Sequence, residues 1–153
     1  MFLNHLLPHK SKMITFINHK TPFLLKFEPE LFNWLNELAH LEGCVIKKLE
    51  YNYVSLSQIQ EINKKHLSHD YPTDVIAFDY SSGNQITGEV FICPDQVESN
   101  AKDYKQSIDN EMVRVISHAF FHLCGYKDNT PNQKSIMTLK EDEAIAAFHT
   151  FLK

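Results

Sequence analysis

Between Asp109 and Cys124 the chain carries a run in which Met112, Val113, Val115, Ile116, Ala119, Phe120, Phe121 and Leu123 point in nearly every direction around a helical axis. A helix that is apolar all round must be buried on most of its sides, so this segment predicts a central helix with the other elements packed about it. Asp109 is placed to cap its start and Gly125 to end it. Upstream, Ile14–Asn18 reads as a short strand. Leu31, Trp34, Leu35, Leu38 and Leu41 then recur at helical spacing from Pro29 to a stop at Gly43. A second strand runs from Cys44 to Val54, and Ser55 with Gln58 has the spacing of a capping box that opens a helix to Leu67. Val75–Tyr80 and Ile86–Ile92 are apolar runs joined by the turn formers Ser81, Ser82, Gly83 and Asn84, which predicts a hairpin. Asp95 can cap a helix to Tyr104, and Thr130, Pro131 and Gln133 open a last helix that runs nearly to the end. The order βαβαββααα lacks strict alternation. It predicts an α+β fold, a four-stranded mixed sheet packed with helices, with the buried helix at its centre.

Composition limits the remaining possibilities. The 153 residues fit one domain, expected over 14–153 after an N-terminal extension at 1–13 in which Met13 is a second candidate start. A chain this long buries enough surface to need no structural metal, so any metal it binds is expected to serve function. The 43% hydrophobic and 22% charged residues are those of a globular chain. No run approaches the roughly 18 apolar residues of a membrane span, so no membrane partner is expected. Asn4, His5 and Pro8 interrupt the opening segment before a secretory stretch can form, which predicts a cytoplasmic protein. Cys44, Cys93 and Cys124 are odd in number, include no CxxC pair, and read as reduced thiols. With 15 basic against 19 acidic residues and Arg114 as the one arginine, composition by itself gives no support to a nucleic-acid partner.

The buried helix also carries His118 and His122, followed by Gly125 and Asp128 in the pattern HxxxHxxGxxD. Residues i and i+4 lie about 40° apart around the axis and about 6 Å apart along it, so the two imidazoles leave one face and can converge on one ion. Glycine can take the left-handed conformation that ends the helix and brings the Asp128 carboxylate back as a third corner. Three protein ligands with an open fourth position is the arrangement of a catalytic zinc, and imidazole with carboxylate suits Zn²⁺, with Ni²⁺ and Mn²⁺ as alternatives. The nucleophile expected at such a site is a metal-activated water, somewhat less acidified than in a site of three neutral histidines. Zinc proteases of the HExxH type share part of this spacing. Here Ala119 stands at the glutamate that serves them as general base.

At these residues the sequence resembles the YbeY family of bacterial endoribonucleases, from about Ile14 to Phe148. The family segment HGxLHLxGYDH is matched by His118 to Asp128. An asparagine followed by TDVLSF is matched by Asn63 and then Thr73 to Phe78, and GDIxI by Gly88 to Ile92. The resemblance implies zinc-dependent, single-strand-specific RNA hydrolysis, in maturation of the 3′ end of 16S rRNA and in ribosome quality control. The implied partners are single-stranded RNA, rRNA and the small ribosomal subunit, with no DNA. It also implies one Zn²⁺ per chain held at the positions of His118, His122 and Asp128. The chain departs from the common pattern in carrying Asp128 where histidine is commoner, Ala119 for glycine, and Leu67 where many members have an arginine that handles RNA. Lys64, Lys65, His66 and Arg114 are the candidates to replace that arginine. Arg114, one turn before His118, either meets a phosphate or pairs with Glu89 or Glu111, and Lys64 and Lys65 either meet RNA or form a solvated helix face. Glu89 is a candidate general base, or else an outer partner of a ligating histidine. The competing readings are a zinc protease and a non-catalytic ribosome-assembly factor that keeps its metal for stability.

Overall fold

The computed structural model describes residues 13–67 and 73–153. Most of the expected N-terminal extension, residues 1–12, lies outside them. In chain order the described residues form β1 (Ile14–Asn18), α1 (Glu28–Leu41), β2 (Val45–Tyr53), α2 (Leu56–Leu67), β3 (Val75–Asp79), β4 (Gln85–Ile92), α3 (Pro94–Asp103), α4 (Ile108–Leu123) and α5 (Pro131–Phe151). The sheet order is β1-β2-β4-β3, with β1, β2 and β4 parallel and β3 antiparallel to β4 on the outer edge. This is the expected α+β fold with a four-stranded mixed sheet.

One face of the sheet carries the main core. Along β4, Ile86, Gly88, Val90 and Ile92 are buried in alternation with half-exposed neighbours, the period of a strand covered on one side. Against this face lies α4, buried at Met112, Val113, Val115, Ile116, Ala119, Phe120, Phe121 and Leu123 as its pattern requires. Gly88 is needed for the contact: a Cβ there would come within 2.6 Å of Leu123 Cδ1 on α4. On β2 the fully buried Tyr51 ties sheet to helix by donating its hydroxyl to the Ile116 carbonyl at 3.0 Å. Trp34 on α1 donates its indole N–H to the Ala144 carbonyl of α5 at 2.8 Å and meets Phe148 edge-on. The opposite face carries a smaller cluster in which Ile59 and Ile62 of α2 pack with Ile76, Phe78 and Phe91.

Three local expectations are corrected. The helix that Asp95 was to cap begins two residues earlier, after Cys93, because Pro94 sits at its first position, where its fixed φ and missing N–H fit. The cap of α4 is Ser107, whose Oγ accepts from the Asn110 amide at 3.0 Å, and Asp109 sits inside the first turn. Leu41, expected on the buried stripe of α1, is 67% exposed because the last turn runs past the core. The Thr130–Gln133 capping box forms as expected, and so does the reciprocal pair of Ser55 and Gln58. Cys44, Cys93 and Cys124 are free thiols.

Candidate metal centre

Burial of α4 decides where its two histidines go. His118 and His122 leave the helix on the side facing α5 and the loop after Gly125, each only partly exposed. Gly125 takes φ 104°, a left-handed value that favours glycine, and turns the chain so that Asp128 comes back over the helix. The Asp128 Oδ2 stands 3.4 Å from His118 Nε2 and 3.5 Å from His122 Nε2, and the two Nε2 atoms are 3.0 Å apart. These three residues could hold a metal ion, for their ligand atoms all lie within 4.8 Å of one another.

The other nitrogen of each ring determines what the cluster can bind. His122 Nδ1 is 2.9 Å from the Tyr126 carbonyl oxygen, which can only accept, so Nδ1 carries the proton. His118 Nδ1 is 2.6 Å from Glu141 Oε2 and donates to that carboxylate. A neutral imidazole has one N–H, so with each Nδ1 proton held by its outer acceptor both Nε2 lone pairs are directed at each other and at the Asp128 carboxylate. Three electron-pair donors in this arrangement repel unless a cation or an added proton sits among them. The donor set therefore fits a divalent metal, and two neutral imidazoles with one carboxylate suit zinc. The His118 pKa agrees with this field: burial pulls it down, and the bond and charge of Glu141, with Asp128 and Asp74, more than offset that, leaving it raised.

Tyr126 is itself fixed. Its hydroxyl donates to Glu42 Oε1 at 2.8 Å, and Lys140 of α5 pairs with Glu42 while lying over the Tyr126 ring. Two consecutive residues of α5 thus support the two histidines, Glu141 directly and Lys140 through Tyr126.

Two cavities meet at the cluster. One of about 380 Å³ lies between α3, α4 and α5 and is lined by Asn100, Tyr104, Glu111, Arg114, Lys134 and Glu141 as well as His118 and Asp128. The other, about 710 Å³, runs along β3 from Thr73 to Ala77 and reaches His118, His122, Asp128 and Asn129. Asp74 belongs to both. Its carboxyl is pushed above the usual range by burial, against the opposing pull of nearby hydrogen bonds and of His118, and it accepts from Asn100 at 3.2 Å.

The remaining sequence candidates divide. Arg114 does lie on the His118 side of α4, but its guanidinium is committed to carboxylates: Nη1 to Glu141 at 3.0 Å, Nη2 to Asp142 at 2.9 Å, and Nε to Glu111 at 3.9 Å. The expected pairing with a carboxylate forms, and its partner is corrected: of the two named in advance only Glu111 is near Arg114, and Glu141 and Asp142 hold it more closely. Glu89 follows Gly88, which faces α4, so by strand alternation Glu89 points to the other side of the sheet, opposite Phe78 of β3. It can serve neither as base at this cluster nor as a histidine's partner. Lys64, Lys65 and His66 are exposed on α2, on that other side, and line neither cavity; the His66 ring packs against Phe78. Leu67 is the last residue of α2. Ala119, at the position of the protease glutamate, lines the larger cavity and offers no acid or base there.

Sequence reasoning missed Glu141 and did not single out Asp74 for a role. The signal for Glu141 was available: Met137, Glu141, Ala144, Ile145 and Phe148 form the buried stripe of α5, and a carboxylate in an apolar stripe needs a partner.

The sequence profile of the family described as Endoribonuclease YbeY matches residues 17–149. A protein of Flavobacterium johnsoniae named Endoribonuclease YbeY is 39% identical over 137 residues, covering 90% of this chain and 98% of its own. One of the same name from Phocaeicola vulgatus is 41% identical over 117 residues, covering 76% of this chain and 85% of its own. Among solved structures, the solution structure of a Thermotoga maritima protein is similar with a TM-score of 0.60 and 27% identity, covering 89% of each chain. With the profile spanning most of the described fold and these relatives matched over most of their length, the chain belongs to the YbeY endoribonuclease family, hydrolases that cut RNA.

Proposed function

We propose that this protein is a zinc-dependent endoribonuclease of the cytoplasm that cuts single-stranded RNA, acting on the small ribosomal subunit in maturation of the 16S rRNA 3′ end and in ribosome quality control. His118, His122 and Asp128 hold one Zn²⁺ per chain. The observation that carries this reading is the convergence of the two histidine Nε2 atoms and the Asp128 carboxylate within 3.0–3.5 Å of one another, while each Nδ1 faces an outer acceptor. When bound, zinc supplies a Lewis acid toward a phosphoryl oxygen and lowers the pKa of water. The chain does the rest. Glu141 and the Tyr126 carbonyl keep the Nδ1 protons and so keep each Nε2 available. The groove along β3 receives the RNA strand beside the cluster, and the burial of α4 behind it excludes water from the rear. Because β3 is the outer strand, RNA crossing its edge reaches the end of α2, where Lys64, Lys65 and His66 meet flanking phosphates.

The test is metal analysis of the purified protein together with incubation on single-stranded RNA, duplex RNA and casein, with and without a chelator. Single-stranded RNA cut only in the presence of metal is the expected result. Cleavage of casein would mean a protease. A metal-loaded protein that cuts neither would mean an assembly factor.

A further inference from the structure

We infer that Glu141, clamped by Arg114, is the positioning residue of the metal centre: it selects the His118 tautomer and aims its Nε2 at the ion. The inference rests on the zinc site proposed above but concerns α5, which contributes no ligand to it. Two observations and the chemistry of imidazole carry it.

Glu141 is buried, with its side chain 8% exposed, in the middle of the apolar stripe of α5. A carboxylate there would be costly without full pairing, and both of its oxygens are used: Oε2 accepts from His118 Nδ1 at 2.6 Å and Oε1 from Arg114 Nη1 at 3.0 Å. The carboxylate therefore cannot rotate away from either partner without leaving the other unpaired.

Arg114 is in turn fixed by Asp142 through Nη2 at 2.9 Å, so the guanidinium bridges two neighbouring carboxylates of α5 from one turn below His118 on α4. A fork of this geometry holds a plane as well as a distance, which a lysine would not reproduce.

The tautomer matters because imidazole offers the ion only the nitrogen without a proton. An Nδ1–H held by a carboxylate leaves Nε2 bare and makes it a better donor, and removal of such an outer partner typically weakens metal binding by about 10- to 100-fold. The arginine that sequence alone left between RNA and a carboxylate is thereby assigned to the protein's own metal site.

The test uses the full chain and two readouts independent of RNA cleavage. Zinc affinity is measured by chelator competition for wild type, Glu141→Ala, Glu141→Gln, Arg114→Met and His118→Ala. The His118 tautomer is read by nitrogen-15 NMR of metal-free protein at a pH where the ring is neutral. Ile145→Val, a mild truncation of the same helix away from the site, controls for loss of packing alone. The expected results are about a 10- to 100-fold loss of zinc affinity in Glu141→Ala, a smaller loss in Glu141→Gln, whose amide oxygen still accepts from Nδ1, and an intermediate loss in Arg114→Met. His118 should shift from the Nδ1–H form to a mixture in Glu141→Ala alone, and Ile145→Val should leave both readouts unchanged. Zinc affinity of Glu141→Ala within twofold of wild type while His118→Ala loses it, or an unchanged tautomer, overturns the inference. If His118→Ala itself keeps full zinc affinity, the proposed metal site has failed instead, and the tautomer readout still decides whether Glu141 orients the ring.

Discussion

Asp128 is the corner of the site most open to challenge, because it comes from a turn rather than from α4. Its carboxylate is 37% exposed and lies 3.4 and 3.5 Å from the two Nε2 atoms, close to equidistant, as a third ligand should be. Asp128→Ala reduces three donors to two. Loss of a ligand should exceed the roughly 10- to 100-fold cost of losing an outer partner, so zinc affinity should fall by about 100-fold or more, or about 2.7 kcal/mol. Folding should hardly change: a turn residue this exposed costs within about 1 kcal/mol when replaced. Asp128→His restores a donor at the same corner and leaves the site one unit more positive, so much of the affinity should return and the pH optimum of RNA cleavage should move down. Chelator competition on metal-free protein, read beside melting temperatures, separates binding from stability. Should Asp128→Ala bind zinc as tightly as wild type and lose only stability, Asp128 is a turn residue and the site has two protein ligands.

Gly88→Ala drives a methyl into Leu123, the residue after His122, and should cost about 1–3 kcal/mol in denaturant unfolding; a loss below about 0.5 kcal/mol would show that α4 stands off the sheet. Glu111 is buried, its Oε1 has no hydrogen-bond partner among the described residues, and burial, against the pull of Arg114, raises its pKa. With the folded pKa above the unfolded one, the native state holds more protons in that interval and stability falls as pH rises through it. Glu111→Gln should therefore raise the melting temperature at pH 7.5 more than at pH 4.5, and a lower melting temperature at pH 7.5 would refute the sign. Cleavage products should carry no 2′,3′-cyclic phosphate, since water rather than the RNA's own hydroxyl is the expected nucleophile, and mass spectrometry of the ends decides it. Lys64→Ala with Lys65→Ala should reduce the salt dependence of RNA binding while leaving zinc affinity unchanged; an unchanged salt slope would remove α2 from the RNA path.

The site was legible in the sequence to the extent that its geometry is local. His118 and His122 share a helical face because 3.6 residues make a turn, and Gly125 marks the reversal that returns Asp128; each follows from spacing within eleven residues. The burial of α4, the β3–β4 hairpin and the Thr130–Gln133 cap follow from patterns of the same range. The failures came where a short-range rule met a neighbour it could not see. Asp95 and Asp109 are good caps, but Cys93, followed by Pro94 at the first helical position, and Ser107 stood earlier in the chain and took the position. Glu89, in a matched segment, was a candidate general base or outer partner of a histidine, but strand alternation against α4 turns it to the far face.

What the chain determines by itself, then, is which residue types lie on one face of one element, because backbone periodicity sets that without reference to anything else. What only the tertiary structure decides is which carboxylate an imidazole or a guanidinium meets. His118 lies 23 residues from Glu141, and Arg114 lies 27 from Glu141 and 28 from Asp142, so their pairings are made by the packing of α5 on α4. Interactions of this kind depend on distances of a few ångström between elements, and no pattern in the intervening residues encodes them.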